Sequence, residues 1–367
     1  MALRVAIIGG YGNFGSYVAR QLAPEAGIEL VICGRDRAKA DGFAGGLEAA
    51  NRATGARVDI ADPPNTMLAG IEPDLVINMV GPYNRQGYGV ARAAIAVGAH
   101  YCDIADAREF VCGVSELDAE ACERGVAVLA GASSVPALTA AYCDAALSDM
   151  HELRRVEYGI SGAEQANRGA GTVAAVLSYV GETFTRLRDG RMQEDIGWRG
   201  LETVIYPELG RRWFSVGDVP DLALFPERYP GLRDHRFLAG HEIAPLHFGL
   251  WCMGLLRRWR LLPNLARHAE MLVKLSRPFN AFGRSRSGFH MVIEGIDAHG
   301  NPAKRRHWII ARNGDGPNIP VIPPILLARK LANGVRLAPG ARPCLGEITL
   351  DEYRSAFADL DVTCIDE

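Results

Sequence analysis

The sequence lacks several features that would each point to a distinct class of protein. No apolar run reaches the ~18 residues of a membrane-spanning helix, and the nearest candidate, HFGLWCMGLL at 247–256, is too short. None of the eight cysteines forms a Cys-x-x-Cys pair, so we expect them to be reduced. The net charge of −3 gives no overall reason to expect a nucleic-acid partner.

Signals for secretion and for metal binding are also missing. The first residues, MALRVAII, begin a strand pattern without the basic region, long apolar core and cleavage site of a signal peptide. HEIAPLH at 241–247 has the wrong spacing for a zinc-binding His-Glu-x-x-His motif, and no Cys/His cluster suggests another metal. We therefore expect a cytoplasmic protein without a metal site.

The first 150 residues alternate short apolar runs with helical patterns. Six runs are typical of buried strands: RVAIIG, ELVICG, ARVDI, DLVINMVG, YCDIA and VAVLAG. Their near-continuous Val, Ile and Leu content predicts an α/β fold in which 1–150 form a Rossmann-type domain around a parallel sheet.

The rhythm changes after residue 150. LRRVEYGISG alternates like a half-exposed strand, residues 171–187 predict a helix, and residues 288–313 predict a hairpin. We interpret 151–315 as a second, α+β domain with a mixed sheet, for substrate binding or dimerisation. Residues 316–367 are expected to return to the Rossmann domain, and a homodimer is compatible with this organisation.

A glycine motif joins the first predicted strand to the first helix. Gly10, Gly12 and Gly15 satisfy G-x-G-x-x-G within a βαβ unit. The first glycine permits a tight turn, the second lets the backbone approach a pyrophosphate, and the third lets helix and strand pack closely. The helix amino terminus then attracts the phosphates. The motif predicts a dinucleotide site, against the alternative of a ligand-free strand–helix turn.

The end of the second predicted strand favours NADP(H) over NAD(H). An NAD-binding unit usually carries an acidic residue there, whereas CGRDR places Arg35 about 20 residues past the motif, where a cation suits the 2′-phosphate. In the alternative interpretation Arg35 is a solvated residue and Asp36 binds the ribose. The predicted cofactor site comprises Gly10, Tyr11, Gly12, Asn13, Phe14, Gly15, Arg35, Asp36, Asp59, Val80, Gly81, Pro82 and Tyr83.

The motifs together resemble those of saccharopine dehydrogenase-like proteins. The resemblance rests on IIGGYGNFG, ICGRD, NMVGPYNRQG, HYCDIADAREFV and AGASSVPALTAAYCDAAL, and on NRGAGTVAAVLSYVGE at 167–182. It implies an NADP-binding Rossmann domain, a mixed α/β substrate domain, and hydride transfer between NADP(H) and a secondary amine/imine pair. Relatives in the wider group also reduce C=C bonds of lipid intermediates.

Three residues are candidates for catalysis. Tyr83 follows the fourth strand, either as a proton donor or as a wall beside the nicotinamide, and Asp103 follows the fifth. The sequence departs from the family here, reading DIADAREF where relatives often read DIAGE, so Asp103 and Asp106 remain the candidate carboxylates. Arg168, before a predicted helix, is suited to hold a substrate carboxylate, or else is a surface residue. Three further candidate proton carriers are more simply structural: His241, His247 and His290.

A basic, apolar stretch follows at 247–286, where Trp and Leu residues are flanked by arginines, and Glu270 is the only acid between 250 and 290. Such a pattern suits a membrane surface or an anionic, lipid-like small-molecule substrate, or simply a solvated helix face. No tyrosine precedes a lysine by four residues, which disfavours a short-chain dehydrogenase. The sequence thus predicts an NADP-dependent oxidoreductase, with a non-catalytic NADP(H)-binding sensor or scaffold as the alternative.

Overall fold

The computed structural model describes residues 2–165 and 169–367. The chain divides into two compact units, neither of which is continuous in sequence. Unit 1 comprises Met1–Ala141 and Asn318–Tyr353, and unit 2 comprises Tyr142–Pro317 and Arg354–Glu367. Strands and helices are numbered below in chain order.

Unit 1 is built on a seven-stranded parallel sheet. Its strands are β1 (Leu3–Ile8), β2 (Ile28–Gly34), β3 (Ala53–Arg57), β4 (Leu75–Asn78), β5 (His100–Asp103), β6 (Ala127–Ala130) and β15 (Gly340–Pro343). Its helices are α1 (Asn13–Leu22), α2 (Arg37–Gly45), α3 (Pro64–Met67), α4 (Gly89–Val97), α5 (Arg108–Gly113), α6 (Asp118–Arg124) and α12 (Ile322–Ala332). Two helices, α7 (Thr139–Ala146) and α13 (Leu350–Phe357), contain the points where the chain passes between units.

The strand order of this sheet is β15-β6-β5-β4-β1-β2-β3. The strands are short runs of Val, Ile, Leu and Ala that are almost wholly buried, which is why they pair in parallel under helices on both faces. The order reverses between β1 and β4, so loops diverge there and leave a crevice at the carboxyl ends of the strands. The predicted Rossmann-type sheet is confirmed.

Unit 2 is built on a mixed seven-stranded sheet of order β10-β11-β12-β7-β13-β14-β16. Among the strands that the structure describes in this sheet, only β12 and β7 pair in parallel. The strands are β7 (Met150–Gly162), β10 (Glu202–Tyr206), β11 (Gly210–Gly217), β12 (Asp234–His241), β13 (Ser287–Asp297), β14 (Pro302–Ala311) and β16 (Val362–Asp366). The predicted mixed sheet is therefore confirmed, including the hairpin of β13 and β14.

The remaining strands and α-helices described in unit 2 are a separate hairpin and four helices. They are β8 (Thr183–Arg188), β9 (Arg191–Ile196), α8 (Gly169–Tyr179), α9 (Asp221–Arg228), α10 (Ala244–Arg258) and α11 (Ala269–Ser276). The single helix predicted for 171–187 is wrong in its second half. Gly181, in the left-handed region at φ +75°, lets the chain turn after α8 into the β8–β9 hairpin.

No helix within residues 2–165 and 169–367 is long and apolar enough to cross a membrane. The same residues contain no group of three His, Cys, Asp or Glu side chains placed to hold a metal ion. All eight cysteines are free thiols.

Candidate cofactor site

The glycine turn after β1 is packed too tightly for side chains at two of its positions. A Cβ on Gly15 would lie 2.2 Å from the carbonyl oxygen of Gly9, and one on Gly10 would lie 2.8 Å from the carbonyl oxygen of Ile7. Gly9 itself has φ +78°, a conformation that favours glycine. Gly12, in contrast, is exposed, and its Cβ would meet only the Gly9 carbonyl, at 3.0 Å. The turn therefore closes on itself but leaves its outer edge accessible.

Helix α1 begins directly at this accessible edge. Its N-cap is Gly12, which has no side chain to accept a hydrogen bond from the first turn. The first N–H groups of any helix lack partners within the helix, and they carry the positive end of its dipole. This edge is consequently suited to a pyrophosphate, as the sequence motif predicts.

Tyr11 connects the glycine turn to the end of β2. Its ring lies over Gly34, where an added Cβ would come within 2.3 Å of Cε1 of the ring. Its hydroxyl oxygen accepts a hydrogen bond from the main-chain N–H of Asp36, at 3.2 Å. Tyr11 thus fixes the course of the backbone on both sides of Arg35. Gly34 was not singled out in the sequence; its position directly before Arg35 is the only signal that could have identified it.

The three charged residues at the start of α2 have different surroundings. Arg35 is exposed and forms no ion pair with any residue that the structure describes. Asp36 caps α2 by accepting the N–H of Lys39 at 3.1 Å, and Arg37 bonds Asp41 at 2.7 Å. Of these side chains, only the Arg35 guanidinium is left without a protein partner, as a 2′-phosphate ligand would require.

Two further predicted residues flank this region. Asp59, just beyond β3, accepts the N–H of Ala61 at 3.1 Å and so closes a turn of its own loop. Val80, just beyond β4, approaches the glycine turn: its Cγ2 would lie 3.0 Å from a Cβ on Gly9. The structure therefore brings the loop after β4 next to the glycine motif, on the crevice side of the sheet.

Asn78, the last residue of β4, organises the Val80–Pro82 loop. It is 1% exposed, its Oδ1 accepts the N–H of Val80 at 3.1 Å, and its Nδ2 donates to the hydroxyl of Tyr101 at 3.3 Å. Gln86 supports the same loop by donating to the Val80 carbonyl at 2.6 Å. Sequence reasoning missed both residues, although for Asn78 a polar residue at the end of an apolar strand was the available signal.

Tyr83 lies under this loop rather than on its open side. It is 5% exposed, and its hydroxyl donates to the Asn78 carbonyl at 2.8 Å. Its ring packs against Phe110 with centroids 5.3 Å apart. Burial, followed by the nearby Asp103, raises the pKa of the phenol well above its usual range. Because the hydroxyl already donates to main chain, the role of Tyr83 as a wall of the site is favoured over its role as a proton donor.

Asp103, at the end of β5, is completely buried. Its Oδ1 accepts the N–H groups of Ala105 and Gly131, both at 2.9 Å, and joins the loops after β5 and β6. Burial raises the pKa of this carboxyl to about 6, even though these hydrogen bonds and the Tyr101 hydroxyl favour its charged form. Burial also raises the pKa of Asp106.

The remaining candidate residues belong to unit 2. Arg168 lies outside the described residues. His290 bonds the Tyr206 hydroxyl at 2.6 Å through Nδ1, and His247 bonds the Ser215 hydroxyl at 3.1 Å through Nε2. Both imidazoles are buried, and burial lowers the pKa of each to about 4, so they are neutral near pH 7. His241 lies 3.5 Å from Glu164.

Comparison with known proteins agrees with this geometry. Residues 5–129 match the family model of the saccharopine dehydrogenase NADP binding domain. A search of curated protein sequences found no match.

Solved structures include several of similar architecture. An apo, histidine-tagged saccharopine dehydrogenase (L-Glu forming) from Saccharomyces cerevisiae is 12% identical, with a TM-score of 0.67 over 99% of this chain and 100% of that chain. A mutant meso-DAPDH with DAP from Clostridium tetani E88 is 12% identical, with a TM-score of 0.49 over 97% and 99%. An amine dehydrogenase from Mycobacterium smegmatis is 12% identical, with a TM-score of 0.46 over 94% and 95%. The first similarity shows a shared fold.

The family match covers the segment that contains the glycine turn, the unpaired Arg35 and the Val80–Pro82 loop. Each of these features fits a dinucleotide that carries a 2′-phosphate, and the cofactor is NADP(H). Residues 5–129 thus match the NADP binding domain of saccharopine dehydrogenases, and the chain as a whole shares its fold with a saccharopine dehydrogenase.

Proposed function

We propose that this protein transfers a hydride between NADP(H) and a small-molecule substrate, at a C=N bond of an imine/secondary amine pair or at a C=C bond. The bound cofactor supplies or accepts the hydride. The chain's own residues bind and orient that cofactor: the Gly12 edge of α1 for the pyrophosphate, Arg35 for the 2′-phosphate, and the Val80–Pro82 loop for the nicotinamide side.

The observation that carries this proposal is the Arg35 guanidinium, which is exposed and unpaired among the described residues beside a closed glycine turn. A guanidinium binds phosphate in a bidentate manner, and such charge-assisted bonds are each about twice as strong as neutral ones. An unpaired arginine at this position therefore discriminates NADP(H) from NAD(H).

Binding of both dinucleotides to three proteins tests the cofactor assignment. We expect Arg35→Ala to weaken NADPH binding about 10- to 100-fold while changing NADH binding less than about 2-fold. Arg336→Ala is the matched control, because Arg336 is another exposed arginine of unit 1 without an ion pair among the described residues. Equal loss of both dinucleotides in Arg35→Ala would show that this arginine does not recognise the 2′-phosphate.

Three residues have proposed roles at the reacting end. Tyr83 is proposed to support the loop against which the nicotinamide lies, since its hydroxyl donates to Asn78. Asp103 is proposed to hold the loops after β5 and β6 in place through the two N–H groups that its carboxyl accepts.

Arg168 is proposed to bind a substrate carboxylate. An increase in KM without loss of kcat in Arg168→Ala, partly restored in Arg168→Lys, would support that role.

The fold shared with a saccharopine dehydrogenase favours C=N chemistry over C=C chemistry. NADPH oxidation with two substrate panels separates them: keto acids mixed with amino acids, which form imines, and α,β-unsaturated acyl compounds. Turnover confined to the first panel would support an amine-forming reductase. Turnover confined to the second would reassign the substrate class.

One observation favours the alternative of a sensor or scaffold. The Tyr83 hydroxyl donates to main chain, and Oδ1 of Asp103 accepts two main-chain N–H groups, so both residues have structural roles that do not require catalysis. Tight NADPH binding without NADPH oxidation on either panel would support this alternative.

The free thiols support the further proposal of a reducing, cytoplasmic location. The proposed homodimer is a separate expectation, and sedimentation equilibrium would establish whether the chain forms it.

A further inference from the structure

The segment from 256 to 286, here called the basic segment, begins in the last turn of α10 and ends directly before β13. It contains six of the eleven exposed large hydrophobic side chains of the described chain: Leu256, Trp259, Leu261, Met271, Leu275 and Phe282. Trp259 is 65% exposed, Leu261 66% and Phe282 79%. Single exposed apolar residues are ordinary, but such a concentration in one segment marks an interaction surface.

The same segment carries unneutralised positive charge. Seven cations form no ion pair with any described residue, and Glu270 is the only acid within the segment; the cations are Arg258, Arg260, Arg267, Lys274, Arg277, Arg284 and Arg286. Elsewhere in unit 2, arginines are commonly paired, as Arg186 is with Asp195 and Arg236 with Glu202. The whole chain has a net charge of −3, so the positive charge of this segment is opposite in sign to that of the whole chain.

A polar cleft of about 770 Å³ opens at the amino-terminal end of the segment. Four arginines and two glutamates line it. One arginine and one glutamate already contact each other: Arg257 contacts Glu182, and it also donates to the Val180 carbonyl at 2.8 Å. Arg199, Arg258 and Arg260 also line the cleft and have no ion pair among the described residues. The cleft therefore favours an anion that accepts several hydrogen bonds, such as a phosphate group.

Arg260 is held in a conformation that arginine seldom adopts. Its φ is +60°, and the main-chain N–H groups of Arg260 and Leu261 bond the carbonyls of Arg257 and Leu256, which ends α10 in a left-handed turn. Glycine is the usual residue at this position of such a helix end. Arg260 thus occupies a strained backbone position from which its side chain lines the cleft.

We propose that the basic segment docks on an anionic lipid bilayer. The arginine-lined cleft receives a lipid phosphate headgroup while Trp259 and Leu261, which alternate with Arg258 and Arg260, enter the boundary between headgroups and acyl chains. Apolar side chains interleaved with unpaired cations match a membrane surface in both hydrophobicity and charge. This inference goes beyond the proposed catalytic function and does not rest on it.

Sedimentation with vesicles tests the proposal without any measurement of activity. We expect the full chain to bind vesicles of phosphatidylcholine containing phosphatidic acid at least about 10-fold more tightly than vesicles of phosphatidylcholine alone, and more weakly as salt rises. Arg258→Glu with Arg260→Glu should reduce binding at least about 10-fold, and so should Trp259→Ala with Leu261→Ala. Arg336→Glu and Ile205→Ala, at exposed positions outside the segment, should bind as the unmodified chain does.

Arg260→Gly provides a variant that keeps the fold, because glycine suits the left-handed turn. It should bind anionic vesicles several-fold more weakly while remaining folded by circular dichroism. Failure of the unmodified chain to bind anionic vesicles would overturn the proposal. The proposal would also be overturned if Arg336→Glu lost as much vesicle binding as Arg258→Glu with Arg260→Glu. Binding of inorganic phosphate without vesicle binding would instead assign the cleft to a soluble ligand, and loss of self-association in Trp259→Ala without vesicle binding would assign the surface to a second copy.

Discussion

At the scale of single residues, the buried Asp103 carboxyl makes the stability of unit 1 depend on pH. Its pKa is about 6 in the folded chain, against about 3.9 for an unperturbed aspartate. Between these values the folded chain binds the proton more tightly than the unfolded chain does. The contribution of Asp103 to stability is therefore fully present below about pH 4 and is lost as the pH rises to about 6.

This predicts a specific difference in Asp103→Asn. The amide oxygen keeps an acceptor for the Ala105 and Gly131 N–H groups, but the side chain no longer titrates. Relative to the unmodified chain, the free energy of unfolding of the variant should rise by about 2 kcal/mol between pH 4 and pH 7. Chemical denaturation at several pH values measures it, with Asp359→Asn, at an exposed aspartate, as the control. Parallel pH profiles for Asp103→Asn and the unmodified chain would contradict the assignment.

At the scale of elements, the junction of β1, α1 and β2 depends on one contact between a ring and a glycine. Tyr11 covers Gly34, so a methyl group at 34 must displace the ring from the backbone that carries Arg35. We expect Gly34→Ala to weaken NADPH binding about 10-fold, and Tyr11→Ala to relieve the clash, so that the double variant binds more tightly than additivity of the two changes predicts.

A double-mutant cycle of NADPH dissociation constants measures this coupling. Gly42→Ala is the matched control, because a Cβ on Gly42 would meet nothing within 4 Å. Strictly additive effects of Gly34→Ala and Tyr11→Ala would show that the ring and the glycine act independently.

The sequence predicted the elements whose local pattern decides their structure. The buried strands β1, β2 and β4 and the β13–β14 hairpin follow from apolar periodicity and turn residues. Prediction from the sequence failed where tertiary contacts decide which secondary structure forms. The apolar stretch at 171–187 reads as one helix, yet Phe184 and Leu187 bury their side chains from a strand of the β8–β9 hairpin instead. In the cofactor site, Asn78 and Gln86 escaped notice because their roles lie in hydrogen bonds to main chain of the same loop.

At the scale of the whole molecule, both sheets take a strand from the carboxyl-terminal part of the chain. Strand β15 pairs with β6 in unit 1, and β16 pairs with β14 in unit 2 through His307–Ala311. His307 and Asp366 add a side-chain contact of 2.7 Å to the second pairing.

Removal of residues 362–367 should therefore destabilise unit 2. The deletion leaves one edge of β14 without its main-chain partners, and each lost hydrogen bond costs about 1 kcal/mol. We expect the free energy of unfolding to fall by roughly 3 to 5 kcal/mol and aggregation to increase, because an unpaired strand edge recruits other chains. Thermal denaturation and light scattering measure both effects. Glu367→Gln, which keeps every main-chain hydrogen bond, should behave as the unmodified chain.

The order in which the two sheets acquire β15 and β16 also bears on how the chain is made. As the chain leaves the ribosome, β1–β6 can pair early, but both sheets remain incomplete until residues 340–343 and 362–366 have emerged. Neither unit can complete its sheet before these residues have been synthesised, so the pairing of β15 and β16 comes after that of the earlier strands. A chain that ends between residues 317 and 361 would therefore lack at least one of these two strands.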